Sequence, residues 1–172
     1  FVVTSNPGHI VGVNRNGEKD LSASVIAVDD KTGKILWSFQ IVVHDLWDLE
    51  FVGPPIVLDV NVGGKIRKAV YAFSKTGSIV ELDRTTGKPI FPNSYEEIAV
   101  QKSELAGENS APTQKKFSRP TPVSTTVFDK KIDLKGIDGK RREYIDFKMR
   151  HAKTGFFVPP SLNHDVVMFG LG

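Results

Sequence analysis

The sequence predicts an all-β fold whose antiparallel strands form blades of a β-propeller, and two observations lead to this prediction. The segment "SVIAVDDKTGKILW" (24–37) aligns without gaps with "SIVELDRTTGKPIF" (78–91), at an offset of 54 residues. Each copy places apolar strand patterns around an Asp and a Gly, two residue types that favour tight turns. A repeat of about 50 residues with four strands per unit is typical of propeller blades. A β-sandwich with a chance repeat is the alternative.

Residues 54–92 contain all four strands of one predicted blade. In chain order the four segments are 54–62, 65–73, 78–83 and 88–91. The first two are joined by Gly63-Gly64, a pair that suits a two-residue hairpin turn. Residues 1–43 contain the last three strands of a preceding, partial blade, namely "FVVT", "SVIAVD" and "KILWSFQIVV". Large rings, Trp37 and Phe91, follow the turns at matching places in the two units.

The strand pattern breaks after the second unit. Residues 93–155 are rich in Pro, Ser, Lys and Glu, which predicts a structured excursion from the blades. Within it, "KRREYIDFKMRHAK" is compatible with a short helix. One side of that helix would carry Tyr144, Phe147 and either Met149 or His151. Strand patterns resume in "GFFVPP" and "DVVMFG", so residues 156–172 are predicted to start the next blade. Because the chain starts and stops in apolar segments, we expect it to be a piece of a longer protein.

Composition limits the function classes. The chain has 172 residues, of which 40% are hydrophobic and 25% charged, as in a globular domain. It contains no cysteine, which excludes disulfides and thiolate metal sites within it. No apolar run approaches the roughly 18 residues that cross a bilayer. The net charge of +3 suits ordinary solubility, and the densest basic stretch is interleaved with acids, so no nucleic-acid partner is predicted.

Three polar segments are predicted to share one face of the blades. They are "SNPG" (5–8), "HDLWDLE" (44–50) and "SKTG" (74–77). In an up-and-down blade the connections that follow the second and fourth strands leave one face, and those that follow the third strand leave the other. We therefore expect Asn6, Asp48 and Lys75 to lie on one face. The turns that contain Gly33 and Gly87 should lie on the opposite face.

The residue types in these segments suggest chemistry, although simpler explanations remain open. Oxygen ligands from Asn6 and Asp48 suit a hard cation such as Ca²⁺. Beside a cation and Lys75, the Asp48 carboxylate can stay ionised and accept a proton from a substrate hydroxyl. In the simpler explanation, Trp47 is a packed indole and Asp48 caps a turn, while the side chains of residues 44 and 45 bond only to nearby main chain. Lys75 would then be a solvated turn residue, and Asn6 would simply belong to a turn.

The longest polar motif and the repeats closely resemble the quinoprotein dehydrogenases, which use pyrroloquinoline quinone (PQQ). The resemblance runs through "SVIAVDDKTGKILWSFQIVVHDLWDLE" and "AVYAFSKTGSIVELDRTTGKPIFP". "GENSAPTQKKF" is similar to the "SPTQPF" segment of the sugar and polyol branch, the membrane-bound glucose dehydrogenase type. "GFFVPPSL" resembles that branch's "GIFTPPSL". The resemblance covers nearly the whole chain and is weakest at 121–148.

This resemblance implies part of an eight-bladed propeller with PQQ on its axis. It implies that Asp48 is the general base, that Asn6 and Lys75 contact PQQ, and that Asn6 and Asp48 hold a metal. The metal would be Ca²⁺ or another divalent or lanthanide cation. The substrate would be a sugar, polyol or alcohol whose hydroxyl is oxidised by hydride transfer to the quinone. A quinone or cytochrome would accept the electrons, and the protein would be periplasmic, attached to the inner membrane through regions absent from this chain.

The chain also departs from the family pattern. Val43 precedes His44 where the family usually reads "HHDLWD", and Glu50 stands where the family often has Asp. "NHDVV" (163–167) is more charged than usual. The family's remaining metal ligand and its stacking Trp would lie upstream, so we expect the isolated chain to be inactive, and self-associated or partly folded. A non-catalytic propeller scaffold or binding domain of the same superfamily is the alternative.

Overall fold

The computed structural model describes residues 1–6, 21–124 and 127–168, and all structural statements below concern these ranges. Their regular structure is mainly β-strand in small, mostly antiparallel sheets, with two short α-helices. The ends of the predicted segments "SNPG" and "DVVMFG" lie outside the described residues. In the described ranges no helix is both long and apolar enough to cross a membrane.

The first sheet contains the three strands predicted for the first unit. They are β1 (Val2–Val3), β2 (Ser24–Val28) and β3 (Ile35–Gln40), antiparallel and in that order. Val3 lies opposite Val25, and Ala27 lies opposite Trp37, with an irregularity in the register just after Ala27. The predicted strand positions are confirmed, although β1 is shorter than "FVVT" suggests.

The second sheet contains only three of the four strands predicted for the second unit. They are β4 (Ile56–Val62), β5 (Lys65–Phe73) and β6 (Ile79–Asp83). The hairpin at Gly63-Gly64 is confirmed, with φ of +59° and +80°. The prediction of a fourth strand is wrong, because this segment pairs with β6 only through an isolated bridge between Pro89 and Leu82. A proline has no N–H to continue a ladder, which limits pairing at this point to short stretches.

The stretch after the second sheet contains a hairpin that the sequence pattern did not predict. Its strands are β7 (Tyr95–Ala99) and β8 (Thr113–Phe117). Their exposed positions carry opposite charges, with Glu96 facing Lys116, so no simple apolar alternation marks them. Phe39 of β3 meets Tyr95 and Phe117 edge-on, with ring centroids 6.3 Å apart in each pair, and this contact attaches the hairpin to the first sheet.

The helix predicted in the excursion is confirmed. Helix α1 (Lys130–Asp133) precedes α2 (Gly139–Lys148), and a 3₁₀ turn (Met149–His151) follows. The strand predicted at "GFFVPP" is wrong: Phe157 has a φ of +56°, and two prolines follow shortly after it. The remaining pair, β9 (Lys153–Thr154) and β10 (Val166–Val167), is parallel. The division of the chain into blades stays a prediction.

The two repeated turns have the same hydrogen bonds. In each turn one oxygen of an Asp carboxylate accepts from the main-chain N–H groups two and three residues later. These bonds run to Asp29 from Lys31 (3.1 Å) and Thr32 (2.8 Å), and to Asp83 from Thr85 (3.0 Å) and Thr86 (2.9 Å). The repeat in sequence is therefore a repeat of turn geometry, as the alignment predicts.

The first sheet is attached to the second through Trp37. Its indole Nε1 donates to the carbonyl oxygen of Arg84 at 3.2 Å. The ring lies against the second turn so closely that a Cβ at position 87 would be 2.6 Å from it. One apolar core continues this contact through both sheets and the loop after β3. Its fully buried members include Val25, Ile41, Val42, Leu46, Leu49, Val70, Val80 and Leu82.

Candidate active site

The polar segments predicted to share a face leave the sheets at the ends opposite to the repeated turns. Strands β1 and β3 are both antiparallel to β2, so Asn6 and the loop at 44–50 emerge at one end of the first sheet. Gly33 lies in the turn at the other end. In the second sheet, residues 74–77 join β5 to β6, whereas Gly87 follows the far end of β6. The predicted separation of these segments is confirmed.

Main-chain contacts bring the 44–50 loop and the 74–77 turn together. Phe51 and Ser74 form an isolated antiparallel bridge. The N–H of Lys75 donates to the carbonyl oxygen of Glu50 at 3.0 Å. The hydroxyl of Ser74 donates to the carbonyl oxygen of Leu49 at 2.9 Å. The two segments therefore lie side by side, and side chains of one can reach the other.

Lys75 connects two carboxylates of the loop. Its Nζ donates to Asp48 Oδ2 at 2.8 Å and to Glu50 Oε1 at 2.9 Å. The hydrogen bond from Lys75 lowers the pKa of Asp48 below its usual range, and the same bond raises the pKa of Lys75. The Asp48 side chain is 47% exposed, against 20% for Lys75 and 10% for Glu50. Asp48 is thus the ionised carboxylate that an incoming molecule can reach.

Glu50 and Asn6 complete the polar neighbourhood. Glu50 Oε2 is buried and accepts no hydrogen bond from any residue in the described ranges. Asn6 Nδ2 donates to the carbonyl oxygen of Asp45 at 3.3 Å, so the Asn6 side chain contacts the main chain of the loop. In the part of the chain that the structure describes, no three His, Asp or Glu side chains converge to hold a metal by themselves.

The loop is held from inside by Asp45, whose side chain is fully buried. Asp45 Oδ1 accepts from the N–H of Trp47 at 2.8 Å, and Oδ2 accepts from the N–H of Leu49 at 2.7 Å. Burial raises the pKa of Asp45 to about 6. Two residues of the loop have positive φ, His44 at +48° and Asp48 at +61°. The loop is therefore a defined conformation that satisfies its buried N–H groups with its own carboxylate.

Two residues of the excursion hold the start of the loop. Gln114 Oε1 accepts from the N–H of Val43 at 2.8 Å, and Gln114 Nε2 donates to the Val43 carbonyl oxygen at 2.5 Å. His44 Nε2 lies 3.1 Å from Glu108 Oε1, and the Glu108 side chain is fully buried. The excursion therefore contacts the main chain and the side chains of the loop directly.

The Trp47 side chain is held by two residues that lie just after the excursion. Its indole Nε1 donates to the carbonyl oxygen of Val158 at 2.7 Å, and its ring packs edge-on against Phe157, with centroids 5.0 Å apart. Phe157 is itself buried. Sequence reasoning assigned no task to Gln114, Glu108 or Phe157. The only available signal was that they fall in "GENSAPTQKKF" and "GFFVPPSL".

The chemistry open to this site follows from its charges. The site presents an accessible, ionised carboxylate beside an ammonium group, on a loop whose main chain is fixed at several points. Such a carboxylate can accept a proton from a hydroxyl, and the ammonium can bind an anionic or carbonyl oxygen. The predicted roles of Asn6, Asp48 and Lys75 stay predictions.

Comparison with known proteins identifies one family. The family model described as "PQQ: Glucose/ethanol/alcohol dehydrogenase, beta-propeller domain" matches residues 1–172. A quinoprotein glucose dehydrogenase of Escherichia coli (strain K12) is 34% identical over 170 residues, which are 94% of this chain and 20% of that protein. The quinoprotein glucose dehydrogenase of Gluconobacter oxydans (strain 621H) is 41% identical over 153 residues, 85% of this chain and 18% of that protein.

A relative named for a different substrate matches an equally long part of this chain. The glycerol dehydrogenase large subunit of Gluconobacter thailandicus is 30% identical over 167 residues, 95% of this chain and 22% of that protein. The chain therefore spans about one fifth of the length of the curated relatives it matches.

Proposed function

Because this chain belongs to the family of PQQ-dependent glucose, ethanol and alcohol dehydrogenases, we propose that it is part of an enzyme that oxidises a hydroxyl group of a sugar, polyol or alcohol. The same membership confirms the β-propeller as its fold class, although only separate sheets and no closed ring lie within the described residues. The names of its relatives, glucose and glycerol dehydrogenases, favour a sugar or polyol substrate.

The observation that carries the proposal is the placement of Lys75 between Asp48 and Glu50. In the proposed reaction Asp48 is the general base, which takes the proton of the substrate hydroxyl. Its lowered pKa keeps it ionised at neutral pH, and its half-exposed side chain can reach a substrate. Once Asp48 is protonated, Glu50 still holds the Lys75 ammonium in place.

The types of residue at this site suit both the cofactor and a metal ion. We propose that Lys75 and Asn6 would hold PQQ, because an ammonium and an amide suit its anionic and carbonyl oxygens. Asp48 and Asn6 would hold the cation, Ca²⁺ or another divalent or lanthanide ion. Glu50 Oε2 is buried and has no donor among the residues that the structure describes, which supports this fit because a carboxylate oxygen without a donor suits a nearby cation. When bound, PQQ supplies the oxidant that takes up the hydride from the substrate.

A non-catalytic scaffold of the same superfamily would need neither the strained Asp48 nor the charged cluster around Lys75. Positive φ at a non-glycine residue persists where the surroundings enforce it, and such residues concentrate at functional sites. The φ of +61° at Asp48 therefore favours the enzyme over the scaffold.

The remaining parts of the proposal concern partners and location. We propose that a quinone or cytochrome accepts the electrons, and that the protein works in the periplasm, attached to the inner membrane through regions outside this chain. We also propose that the isolated chain self-associates. Its edge strand β4 exposes Ile56 (51%) and Val57 (47%), and β5 exposes Ile66 (68%). Exposed apolar strand edges favour pairing with another chain.

The test is the Asp48→Asn variant of the full-length protein, which keeps the size of the side chain and removes the base. We expect kcat to fall by roughly 10²–10⁴, while PQQ affinity changes by no more than about threefold. Turnover would be measured in a dye-linked assay with glucose, glycerol and ethanol after addition of PQQ and Ca²⁺.

The matched control is Asp59→Asn, which removes another carboxylate that pairs with a basic residue, Arg84. Asp59 lies on β4, outside both the 44–50 loop and the 74–77 turn, so turnover should be unchanged. Turnover of Asp48→Asn within a few-fold of the wild type would remove Asp48 from the catalytic role.

A further inference from the structure

Asp48 has an uncommon main-chain conformation for a residue with a side chain. Its φ of +61° lies in the left-handed region, where a Cβ crowds the main chain and costs about 1–2 kcal/mol. Asp tolerates this region better than most residues, but it does not prefer it. The direction in which the Asp48 carboxylate leaves the loop depends on this conformation. Something in the fold must therefore hold residue 48 in place.

The neighbouring peptide groups show what holds it. Asp45 Oδ1 binds the N–H of Trp47 at 2.8 Å, and Asp45 Oδ2 binds the N–H of Leu49 at 2.7 Å. The two N–H groups belong to the residues immediately before and after Asp48. Each oxygen of one buried carboxylate thus fixes one side of residue 48, and both bonds are short enough to be charge-assisted.

We propose that Asp45 is a positioning residue for Asp48, which it holds in the left-handed conformation and so beside Lys75. This inference rests on the proposed role of Asp48, and it assigns a task to a residue for which the family resemblance gave none. The positioning runs through the main chain: the buried Asp45 carboxylate accepts from the N–H groups of Trp47 and Leu49, whereas the Asp48 side chain makes the contact with Lys75.

Burial of the Asp45 carboxylate supports this assignment. A buried carboxylate is unfavourable unless it makes good hydrogen bonds, because it loses its hydration. An apolar or amide side chain could be buried at this position with a smaller loss of hydration free energy. The carboxylate is needed because a single group must accept two N–H bonds with two separate oxygens. An Asn side chain offers one oxygen and turns its NH₂ group toward the other N–H.

The first experiment compares Asp45→Asn with the wild type in the full-length protein with PQQ and Ca²⁺. We expect kcat to fall about 10- to 100-fold, because a misplaced catalytic group costs rate even when binding is kept. Substrate KM and PQQ affinity should stay within about threefold of the wild type. The matched control is Asp29→Asn, which makes the same chemical change in an exposed turn at the other end of the sheet, where one oxygen accepts both main-chain bonds, and it should leave kcat unchanged.

A kinetic double-mutant cycle separates positioning from a general structural effect. If Asp45 acts through Asp48, then Asp45→Asn should lower turnover by less than about threefold in a protein that already carries Asp48→Asn. An equal loss in both backgrounds would show that Asp45 supports the enzyme independently of Asp48, and would overturn the inference. If Asp45→Asn does not fold, Asp45→Ser replaces it, since a hydroxyl can accept one of the two bonds.

The crystal structure of Asp45→Asn gives a readout that does not depend on activity. We expect residue 48 to leave the left-handed region and the distance from Asp48 Oδ2 to Lys75 Nζ to increase from 2.8 Å to beyond hydrogen-bond range. Unchanged geometry at residue 48 would overturn the inference. If Asp48→Asn keeps its turnover but this displacement is seen, the proposed base is wrong and the positioning by Asp45 still stands.

Discussion

The turn at residues 29–34 and the loop at residues 44–50 are each organised by an aspartate carboxylate, but they place different residues in the left-handed region. In the turn, Gly33 has a φ of +70°, and the organising carboxylate is accessible to water. In the loop, His44 and Asp48 have φ of +48° and +61°, and the organising carboxylate is fully buried. A carboxylate that accepts main-chain N–H bonds therefore organises both an accessible turn and a buried loop.

The difference lies in the type of residue that each segment places at positive φ. Glycine takes positive φ without strain, so a turn that only reverses the chain uses it. A loop that must present a carboxylate cannot use glycine at that position, and it accepts strain that the surrounding structure must offset. Two loop residues, His44 and Asp48, take this strain, and Asp48 is the one whose side chain meets Lys75. Comparing the two segments therefore separates architecture from chemistry.

The largest effect is expected where the turn itself meets another sheet. Gly33 and Gly87 share a φ of +70°, but a Cβ would meet nothing within 4 Å at position 33 and the Trp37 ring at 2.6 Å at position 87. Gly33→Ala should cost about 1–2 kcal/mol from conformation alone. Gly87→Ala should cost about 4 kcal/mol, because overpacking adds to it. Urea unfolding of the full-length variants measures both.

The pair of glycine variants also tests the separation of architecture from chemistry. Both lie away from the 44–50 loop, so kcat per folded molecule should equal that of the wild type. Equal losses of stability in the two variants would show that Trp37 does not hold the second turn. A fall in kcat at constant folded fraction would show that the turns and the loop are not separate.

The second effect is the opposite pH response of the two aspartates. The pKa of Asp45 is raised to about 6 from 3.8, so the native state binds this proton more tightly than the unfolded chain does. Its contribution to stability is therefore present at low pH and is lost as pH rises from about 4 to about 6, by about 2–3 kcal/mol. The pKa of Asp29 is lowered, chiefly by its hydrogen bond with Thr32, so its contribution is lost as pH falls.

Urea unfolding at pH 4 and pH 7 measures this difference. Relative to the wild type, Asp45→Asn should be more destabilising at pH 4 than at pH 7, because only the wild type gains the proton. Asp29→Asn should show the reverse trend. If Asp45→Asn lowers the free energy of unfolding equally at both pH values, the fold does not raise the pKa of Asp45.

The smallest of the three effects concerns the outer support of the loop. In Gln114→Glu a charged carboxylate can accept from the Val43 N–H but cannot donate to the Val43 carbonyl oxygen, which should cost about 1–2 kcal/mol at neutral pH. Burial favours the protonated acid, which can donate again. Stability and kcat, each relative to the wild type at the same pH, should therefore recover as pH is lowered. The exposed Gln101→Glu is the control, and a penalty independent of pH would contradict the role of the donor.

Much of the fold and the pairing at the site could be predicted from the sequence. The repeat located β2, β3 and β6 and both turns, because turn chemistry is local. Blade topology was enough to bring Asp48 and Lys75 to the same end of the sheets, and the structure places them in contact. These predictions succeed because they depend on periodicity and on connection rules, which a single sequence records.

The rest depends on partners that are distant in sequence. Hairpin β7–β8 has charged faces, so its pairing leaves no apolar period to detect. Gln114 is fully buried only because Val43, far away in the chain, supplies both hydrogen-bonding groups. Likewise, Phe157 sits at positive φ against Trp47 instead of continuing a strand. No local pattern contains these contacts.

The two hydrogen bonds between the Gln114 side chain and the main chain of Val43 restrict these two positions to different degrees. Both hydrogen bonds go to the N–H and the carbonyl group of residue 43, and neither involves its side chain. Any amino acid except proline supplies these two groups, so the two hydrogen bonds place no other restriction on the side chain at position 43. Position 114 has no such freedom, since a side-chain amide of that length must both accept and donate.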